Sequence, residues 1–478
     1  MITIESQSQQ RLFVILISIA SLMGTLDLTI INISLPTIAN YFETSITWVS
    51  WISIAYLITL ASSLIAFGHF ADIHGYKKVY LSGFFVFTIA SFFCAISPSI
   101  QVLIGCRIVQ GLGASMLQAI GAAMIAIYLP RQIRGWALGM LSTFAAIGIA
   151  TGPVLGGYLT QYLSWHSIFL VNIPVGICAI ILGRRVIPED QPDKNSRADF
   201  DLPGALLLFL SLGSFIFSIS IGRIFGYTSP VILTTATFFI IGTAAFFYRE
   251  SRVPEPLIKL TLFKNRNLLF GNIGLLLVLM LYLGTSFLLP FYFELGKDFS
   301  PDISGLFLLI PAIALIVTSF FAGRTSDRIG SRTLCITSGL CFACTMALFT
   351  TMRIESNIII VVINLVMFGF SVGLFIAPNF RLLMSYAPKG DEGMISGIAM
   401  TVRNTGSATG IAVFTMLFVL ASGKVFANST INSAQRDLGF HAAFQFGFVI
   451  SLFILLLAFL SYEKKEISEC ETPEMKNS

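Results

Sequence analysis

The chain has 478 residues, of which 55% are apolar and 11% are charged, and its formal net charge is +5. Soluble domains carry about 25% charged residues, so this composition excludes an ordinary water-soluble protein and indicates a protein of the lipid bilayer. The positive charge is spread over many short polar segments. Membrane topology and anionic lipid account for such a distribution, and it predicts no nucleic-acid partner.

Fourteen apolar segments are long enough to cross a bilayer. Backbone polar groups find no water in lipid, and strands of a membrane barrel need only about ten residues, so segments of this length predict helices. The sequence therefore predicts an all-α integral membrane protein. The spans are expected at 12–35, 46–69, 79–97, 101–128, 135–158, 165–187, 203–222, 230–248, 268–293, 303–322, 333–352, 357–378, 392–420 and 440–462.

Basic residues are distributed unevenly between the two sets of connecting segments. If the N-terminus lies in the cytoplasm, few of the 29 lysines and arginines fall outside, and Arg107 and Arg403 fall within spans. Positive residues concentrate on the cytoplasmic side of membrane proteins. We therefore expect a multi-pass protein of the cell membrane with both termini in the cytoplasm. The outer segments hold five basic residues, namely Arg223, Lys297, Arg353, Lys424 and Arg436.

A short loop pattern occurs twice. The segment 68–78 reads GHFADIHGYKK, and the segment 323–332 reads GRTSDRIGSR. Each copy follows the second span of a six-span unit, which predicts two related halves. The first half covers residues 1–190, and the second covers residues 256–478 and includes a cytoplasmic tail. Two linker helices are expected within 191–255. We expect the loops and nearby basic residues to form paired cytoplasmic gates. The residues are Gly68, Asp72, Gly75, Lys77, Arg134, Gly323, Asp327, Arg328 and Gly330.

Among the 24 acidic residues, only Asp27 falls well inside a predicted span. A carboxylate in that position costs about 2.5–3.5 kcal/mol on insertion scales, so it calls for a functional explanation. Helical rise places Arg107, in span 4, at a depth similar to that of Asp27. Two interpretations remain open. Asp27 and Arg107 form a structural ion pair, or Arg107 snorkels toward the membrane surface; alternatively, Asp27 exchanges protons and a nearby cation adjusts its pKa.

Two spans contain unusual residues for membrane helices. Span 13 carries Arg403 and Asn404, for which substrate contact and structural pairing are both open. Span 5 is rich in glycine and proline, which indicates close helix approach and a bend, or else a purely architectural seam between the halves. Its residues are Gly139, Gly148, Gly152, Pro153, Gly156 and Gly157.

No catalytic or cofactor motif is evident. The four histidines lack the spacing of metal ligands, and neither a phosphate-binding loop nor a hydrolase triad motif is present. We therefore predict a protein that is not an enzyme, needs no metal or cofactor, and draws its energy from a gradient.

Several motifs resemble those of the major facilitator superfamily, in particular its fourteen-helix drug:proton antiporter branch. LDLTIINISLP at 26–36 resembles the first-helix motif of that branch, and RIVQGLG at 107–113 resembles the fourth-helix motif. The span 5 glycines with Pro153 resemble the antiporter motif. The segment 68–78 is similar to the loop between helices 2 and 3, with Ile73 and Tyr76 in place of usual basic residues. The segment 165–174 is similar to the start of the sixth helix, with His166 in place of a usual arginine.

The resemblance implies the major facilitator fold, with two six-helix bundles plus two linker helices. It also implies proton coupling through Asp27 and Arg107. We expect the monomer to be the working unit. A substrate cavity midway through the membrane is expected to contain Asn32, Gln110, Arg403 and Asn404.

The expected function is proton-driven export of lipophilic or cationic compounds by alternating access. Two alternatives remain: an uptake symporter of the same fold, and a membrane sensor or scaffold without transport. Dye accumulation in energised cells separates them, because an exporter lowers it, a symporter of the dye raises it and a scaffold leaves it unchanged.

Overall fold

The structure is a computed structural model that describes residues 4–189, 202–253, 259–388, 392–423 and 433–461. Fourteen helices in these ranges are long and apolar enough to cross a membrane, as the sequence predicts. The helices are α1 Gln7–Tyr41, α2 Ile46–His74, α3 Tyr76–Ala95, α4 Ile100–Tyr128, α5 Arg131–Tyr162, α6 Ser167–Leu170, α7 Asn172–Val186, α8 Leu202–Phe225, α9 Pro230–Glu250, α10 Arg266–Phe291, α11 Pro301–Ile329, α12 Ser331–Thr351, α13 Ile358–Ser385, α14 Glu392–Ser422 and α15 Ser433–Leu460.

Helices α6 and α7 together make one span, Ser167–Val186. Because successive spans run in opposite directions, the ends of the helices lie on two faces of the bundle. We call the face with the start of α1 and the α2–α3 and α11–α12 turns the terminal face. The opposite face, with the α1–α2 and α3–α4 turns and the start of α11, is the distal face.

Several helices that begin at the distal face carry a serine cap. The side chains of Ser45, Ser99 and Ser229 accept a hydrogen bond from the backbone N–H three residues on, which satisfies one unpaired donor of α2, α4 and α9. Pro230 and Pro301 stand at the start of α9 and α11, where their missing N–H is not needed.

The repeated loop pattern has a repeated backbone conformation. Gly75 ends α2 with φ 96° and ψ 138°, and Gly330 ends α11 with φ 86° and ψ 148°. Each glycine N–H bonds to the carbonyl four residues back, Ala71 in one half and Ser326 in the other. Glycine is needed at both turns because side chains rarely adopt this region of backbone space.

Helix contacts follow the same plan in both parts of the bundle. Helix α1 packs on α5 and α3 on α4, while α10 packs on α14 and α12 on α13 and α15. The two parts meet where α5 contacts α11 and α2 contacts α14. Helices α8 and α9 pack on each other, and α8 also contacts α2 and α14. The predicted domain junctions near 190 and 255, and the tail from 462, lie outside the described residues.

A large cavity lies between the two parts of the bundle. Its volume is about 1460 Å³, and α1, α2, α4, α5, α10, α11, α13 and α14 contribute to its walls. Residues of the terminal face line one end of it, among them Asp72, Lys259 and Gly393, all exposed. The cavity therefore opens at the terminal face.

At the distal face, α5 and α11 are in direct contact. A methyl group on Gly157 would collide with the Pro301 carbonyl oxygen, and one on Gly305 would collide with the Pro153 carbonyl oxygen. The Tyr162 hydroxyl also donates to Asp302 Oδ2 at 3.2 Å. This reciprocal backbone contact closes the gap between α5 and α11 at the distal face, on the side opposite the opening.

Candidate functional site

Asp27 on α1 and Arg107 on α4 form a buried ion pair. Arg107 Nη1 donates to Asp27 Oδ2 at 2.6 Å, and both side chains are 1% exposed. Arg107 Nε donates to the Ile52 carbonyl at 3.1 Å, and the guanidinium lies 4.2 Å from the centre of the Tyr56 ring. A buried charge needs a partner of opposite sign and further hydrogen bonds, and this pair has both.

Two amide side chains complete the network. Gln110 Nε2 donates to Asp27 Oδ1 at 2.9 Å, and Gln110 Oε1 accepts from Arg107 Nη1 at 2.6 Å. Asn172 Nδ2, on α7, also donates to Asp27 Oδ1 at 3.1 Å. Both carboxylate oxygens are therefore engaged, and the group joins the first, fourth and sixth spans.

Gln110, which the sequence predicts in the substrate cavity, does not line the cavity in this structure. Its side chain is fully buried, hydrogen-bonds to Asp27, Arg107 and Ser91, and does not line the cavity. Gln110 lies three residues after Arg107, so both project from the same face of α4. That face is turned toward α1, α2 and α3 rather than toward the central space.

The structure brings the other three expected cavity residues together with further polar groups. Asn32 on α1 and the neighbours Arg403 and Asn404 on α14 all line the cavity. Asp27 and Arg107 do not line it. Helix α1 thus presents Thr25, Thr29 and Asn32 to the cavity, while Asp27 points to the ion pair.

The glycines of α5 differ in what they contact. A side chain at Gly148, Gly152 or Gly156 would meet α1, since Gly148 faces the Leu22 carbonyl oxygen and Gly156 faces the Ile30 carbonyl oxygen. Gly157 faces α11 instead. Gly139 is exposed, and nothing lies within 4 Å of the place that a methyl group on it would take, so it does not belong to the packed seam. Pro153 lies inside α5, which continues to Tyr162.

The second half contains a matching seam. Gly406 and Gly410 on α14 lie against the Leu276 and Met280 carbonyl oxygens of α10. Helix α10 begins the second set of six spans as α1 begins the first, so each set packs its first span on the glycines of its fifth. The close helix approach expected from glycine is thus present in both.

Two of the expected gate residues of the first loop lie at the mouth of the cavity. Gly68 and Asp72 line it, and the Tyr76 hydroxyl donates a hydrogen bond to Asp72. Tyr76 thus supplies a donor where the family usually has a basic residue. Lys77 forms an ion pair with Glu189 at 3.0 Å, and Arg134 Nε donates to the Leu129 carbonyl at 3.0 Å.

In the second loop, Gly323 is half-buried and Arg328 is exposed. The side chain of Asp327 lies outside the described part of the structure. The pairing of Asp72 with Asp327 as matching gates therefore stays a prediction.

Two polar residues within spans were not singled out from the sequence, and of these only Asn172 contacts the ion pair. Asn172 belongs to the segment 165–174, which resembles the start of the sixth helix, and only this resemblance could have indicated its role beside Asp27. Glu294 lies in a π-helical turn, Tyr292–Gly296, that extends the span of α10 beyond its predicted end at residue 293. Its Oε1 is buried without a hydrogen-bond partner among the described residues. Glu294 therefore lies within a span but close to its end, unlike Asp27.

A comparison with known families decides the identity of this arrangement. The family model described as Major Facilitator Superfamily matches residues 17–411. The chain belongs to the major facilitator superfamily. It is a membrane-embedded transporter of small molecules rather than an enzyme, and its all-α fold is that of this superfamily.

Curated relatives in the superfamily include resistance proteins. The chain is 33% identical to the riboflavin transporter RibZ of Clostridioides difficile, over 86% of this chain and 88% of that protein. It is 30% identical to the multidrug resistance protein Stp of Mycobacterium tuberculosis, over 84% and 75%. It is 28% identical to the methylenomycin A resistance protein of Bacillus subtilis, over 87% and 90%. The resemblance to drug exporters of the superfamily is confirmed.

Solved structures agree on the fold. The D-xylose–proton symporter has a TM-score of 0.66 at 16% identity, covering 95% of this chain and 97% of that chain. A bacterial homolog of the lysosomal transporter Spinster, in an inward-facing and unoccupied conformation, has a TM-score of 0.66 at 12% identity, covering 96% and 98%. At these identities the likeness concerns the fold alone.

Proposed function

We propose that this transporter exports lipophilic drug-like compounds from the cytoplasm in exchange for protons, by alternating access. The observation that carries the proposal is the Asp27–Arg107 pair, buried on the opposite side of α1 from the cavity. One helix thus borders both the space for substrate and the carboxylate that can take up a proton.

Orientation supports export from the cytoplasm. Lys77, Lys78, Arg131 and Arg134 all lie at the terminal face, which the positive-inside rule assigns to the cytoplasm. The cavity then opens inward, and both termini are cytoplasmic. The bacterial resistance proteins among the relatives support a location in the cell membrane.

The coupling step follows from the hydrogen bonds. Protonation of Asp27 removes the charge that Arg107 neutralises, and it converts one carboxylate oxygen from acceptor to donor. Arg107 and Gln110 must then rearrange, which shifts α4 relative to α1. Because α1 packs closely on the α5 glycines, that shift reaches the α5–α11 contact that closes the distal face.

Energetics permit this coupling. One elementary charge moved through 100 mV yields about 2.3 kcal/mol, whereas a tenfold concentration gradient of substrate costs about 1.4 kcal/mol. A single proton per substrate is therefore sufficient for useful export.

We also propose that the chain divides into halves at 1–190 and 256–478 with the linker pair in 191–255, and that the monomer is the working unit. The ion pair, the cavity walls and the distal contact all come from one chain.

Transport of a planar heteroaromatic vitamin is a second candidate. The relative named as a riboflavin transporter, with 33% identity, favours it. If the protein takes up such a vitamin, riboflavin accumulates in right-side-out vesicles rather than in inverted ones. The vesicle experiment described next therefore separates uptake from export.

The test uses inverted membrane vesicles containing the full chain, energised to acidify their interior. An exporter accumulates a lipophilic dye inside such vesicles, and a protonophore releases it. Accumulation in right-side-out vesicles instead identifies uptake. Dye distribution unchanged by energisation in both vesicle types, across a panel of dyes and riboflavin, contradicts gradient-driven transport.

A further inference from the structure

The charges that line the cavity are unevenly placed. Asp72 is the only acidic residue among the described lining residues, and it lies at the mouth, where Tyr76 donates to it. Lys259 is also at the mouth. Arg403 lies deeper, about 16 Å from the start of α14 by helical rise. The described interior of the cavity therefore carries a cation and no carboxylate.

Arg403 differs from Arg107, the arginine of the buried ion pair. Arg107 has an aspartate, a glutamine and a carbonyl oxygen as partners. The guanidinium of Arg403 makes no hydrogen bond or ion pair with any residue that the structure describes, and Asp27 is already held by Arg107. Arg403 is thus a cation available to a ligand.

Arg403 is half-buried on the wall of the open cavity, where solvent can reach its guanidinium. When the transporter closes around a substrate, that solvent is displaced, and burying an unpaired charge is costly. An anionic group on the substrate removes the cost, whereas a cationic group adds repulsion. The five donors of a guanidinium suit two-point binding of a carboxylate or phosphate.

The surroundings indicate the rest of the ligand. Asn404 and Ser407 lie beside Arg403 on the cavity wall and offer neutral hydrogen-bonding groups. The Tyr282 ring lines the same cavity, together with aliphatic side chains such as Leu57 and Leu60. An apolar, flat body with one anionic edge matches this combination.

We infer that the substrates of this transporter are anionic amphiphiles, with a carboxylate or phosphate bound by Arg403 and an apolar body against Tyr282. The inference rests on the proposed export function and narrows its substrate class. The sequence predicts lipophilic or cationic substrates, and this inference excludes the cationic ones as preferred ligands.

The test compares three ligands that share one apolar body: 1-pyrenebutyrate, its neutral amide, and the corresponding pyrenylbutyl trimethylammonium ion. Binding to the purified full chain is measured by energy transfer from tryptophan to pyrene, without any gradient. We expect the acid to bind about tenfold more tightly than the amide, and the ammonium ion to bind most weakly. Equal or tighter binding of the ammonium ion overturns the inference.

Substitution assigns the preference to one residue. Arg403→Gln is expected to remove the difference between acid and amide while leaving the affinity for the amide within about twofold. Arg403→Lys keeps the charge and is expected to retain part of the difference. The control Arg184→Gln removes an exposed cation at the end of α7 and is expected to change nothing. An unchanged preference in Arg403→Gln overturns the assignment.

Because binding is measured at equilibrium, failure of proton-driven export is a separate result. Vesicles that never accumulate any of the three compounds contradict the proposed function but leave the charge preference intact. Export that favours the ammonium ion overturns the substrate class and leaves export standing.

Discussion

Asp27 and Arg107 lie 80 residues apart in the chain, yet Arg107 Nη1 reaches Asp27 Oδ2 at 2.6 Å inside the bundle. Gln110 and Asn172 occupy the other carboxylate oxygen. The pair is electrically neutral and sealed from the cavity, so its structural and coupling roles must be separated by experiment.

Asp27→Asn is expected to abolish uphill transport in liposomes. It keeps the size of the side chain but cannot ionise, and it leaves Arg107 buried without a counter-charge, which costs about 3–5 kcal/mol of stability. Adding Arg107→Gln is expected to restore most of the stability, measured by thermal unfolding, without restoring proton-driven transport.

Asp298→Asn is the matched control for that substitution. Asp298 is exposed and has φ 54°, a conformation that asparagine also tolerates. Transport and stability should both stay at wild-type values. Uphill transport by Asp27→Asn at the wild-type rate would eliminate Asp27 as the coupling group.

Gly156→Leu is expected to abolish transport while the protein still reaches the membrane. The added side chain would collide with the Ile30 carbonyl oxygen and force α1 away from α5. Gly139→Leu is the control on the same helix, because nothing lies near its side-chain position. The test compares the rates of dye export by the two variants. Equal rates would show that the packing of α5 on α1 is not required for transport.

Gly75→Ala and Gly330→Ala should each cost about 1–3 kcal/mol, because both glycines have a positive φ that alanine adopts only under strain. Gly68→Ala, inside α2 with open space around it, should instead be neutral or stabilising by up to about 1 kcal/mol. Unfolding temperatures of the three variants test this, and a cost at Gly68 equal to that at Gly75 would refute the conformational argument.

The stability of the distal face should depend weakly on pH through His166. Burial lowers the pKa of His166 from its usual 6.5, and the ring stacks on Trp165 at 3.8 Å. At a pH between the pKa of His166 in the native protein and its pKa in the unfolded chain, the unfolded chain binds more protons than the native protein. The contribution of His166 to the free energy of unfolding is therefore fully present above about pH 6.5 and decreases below it.

Because His166 is only half-buried, its contribution to the free energy of unfolding is small. His166→Asn is expected to flatten the dependence of the unfolding temperature on pH below about 6.5. An unchanged slope would show that other groups produce it.

The number of spans could be predicted from the sequence, because length and hydropathy alone decide whether a segment crosses a bilayer. The end of a span is less well determined. Glu294 lies one residue beyond the predicted end of its span, and only the π-helical turn places its carboxylate within the helix.

The rotation of a helix about its axis was also not predictable. Helices surrounded by other helices and lipid are apolar on every side, so periodicity does not identify the face that borders the cavity. For this reason Gln110 was expected in the cavity and lies in the ion-pair network. Gly139 shares a motif with Gly156 but lies on a different face of α5.

The distal contact between α5 and α11 has a consequence for the balance between conformations. Gly157 and Gly305 each lie against a backbone carbonyl of the other helix, so any larger residue acts as a wedge at that face alone. Such a wedge destabilises only the state in which the helices touch, and it shifts the population toward the state open on the distal side. Spin labels on α5 and α11 at the distal face would report this shift as a longer distance between the two labels. Substitution of Gly157 or Gly305 would therefore enrich one conformational state without a ligand.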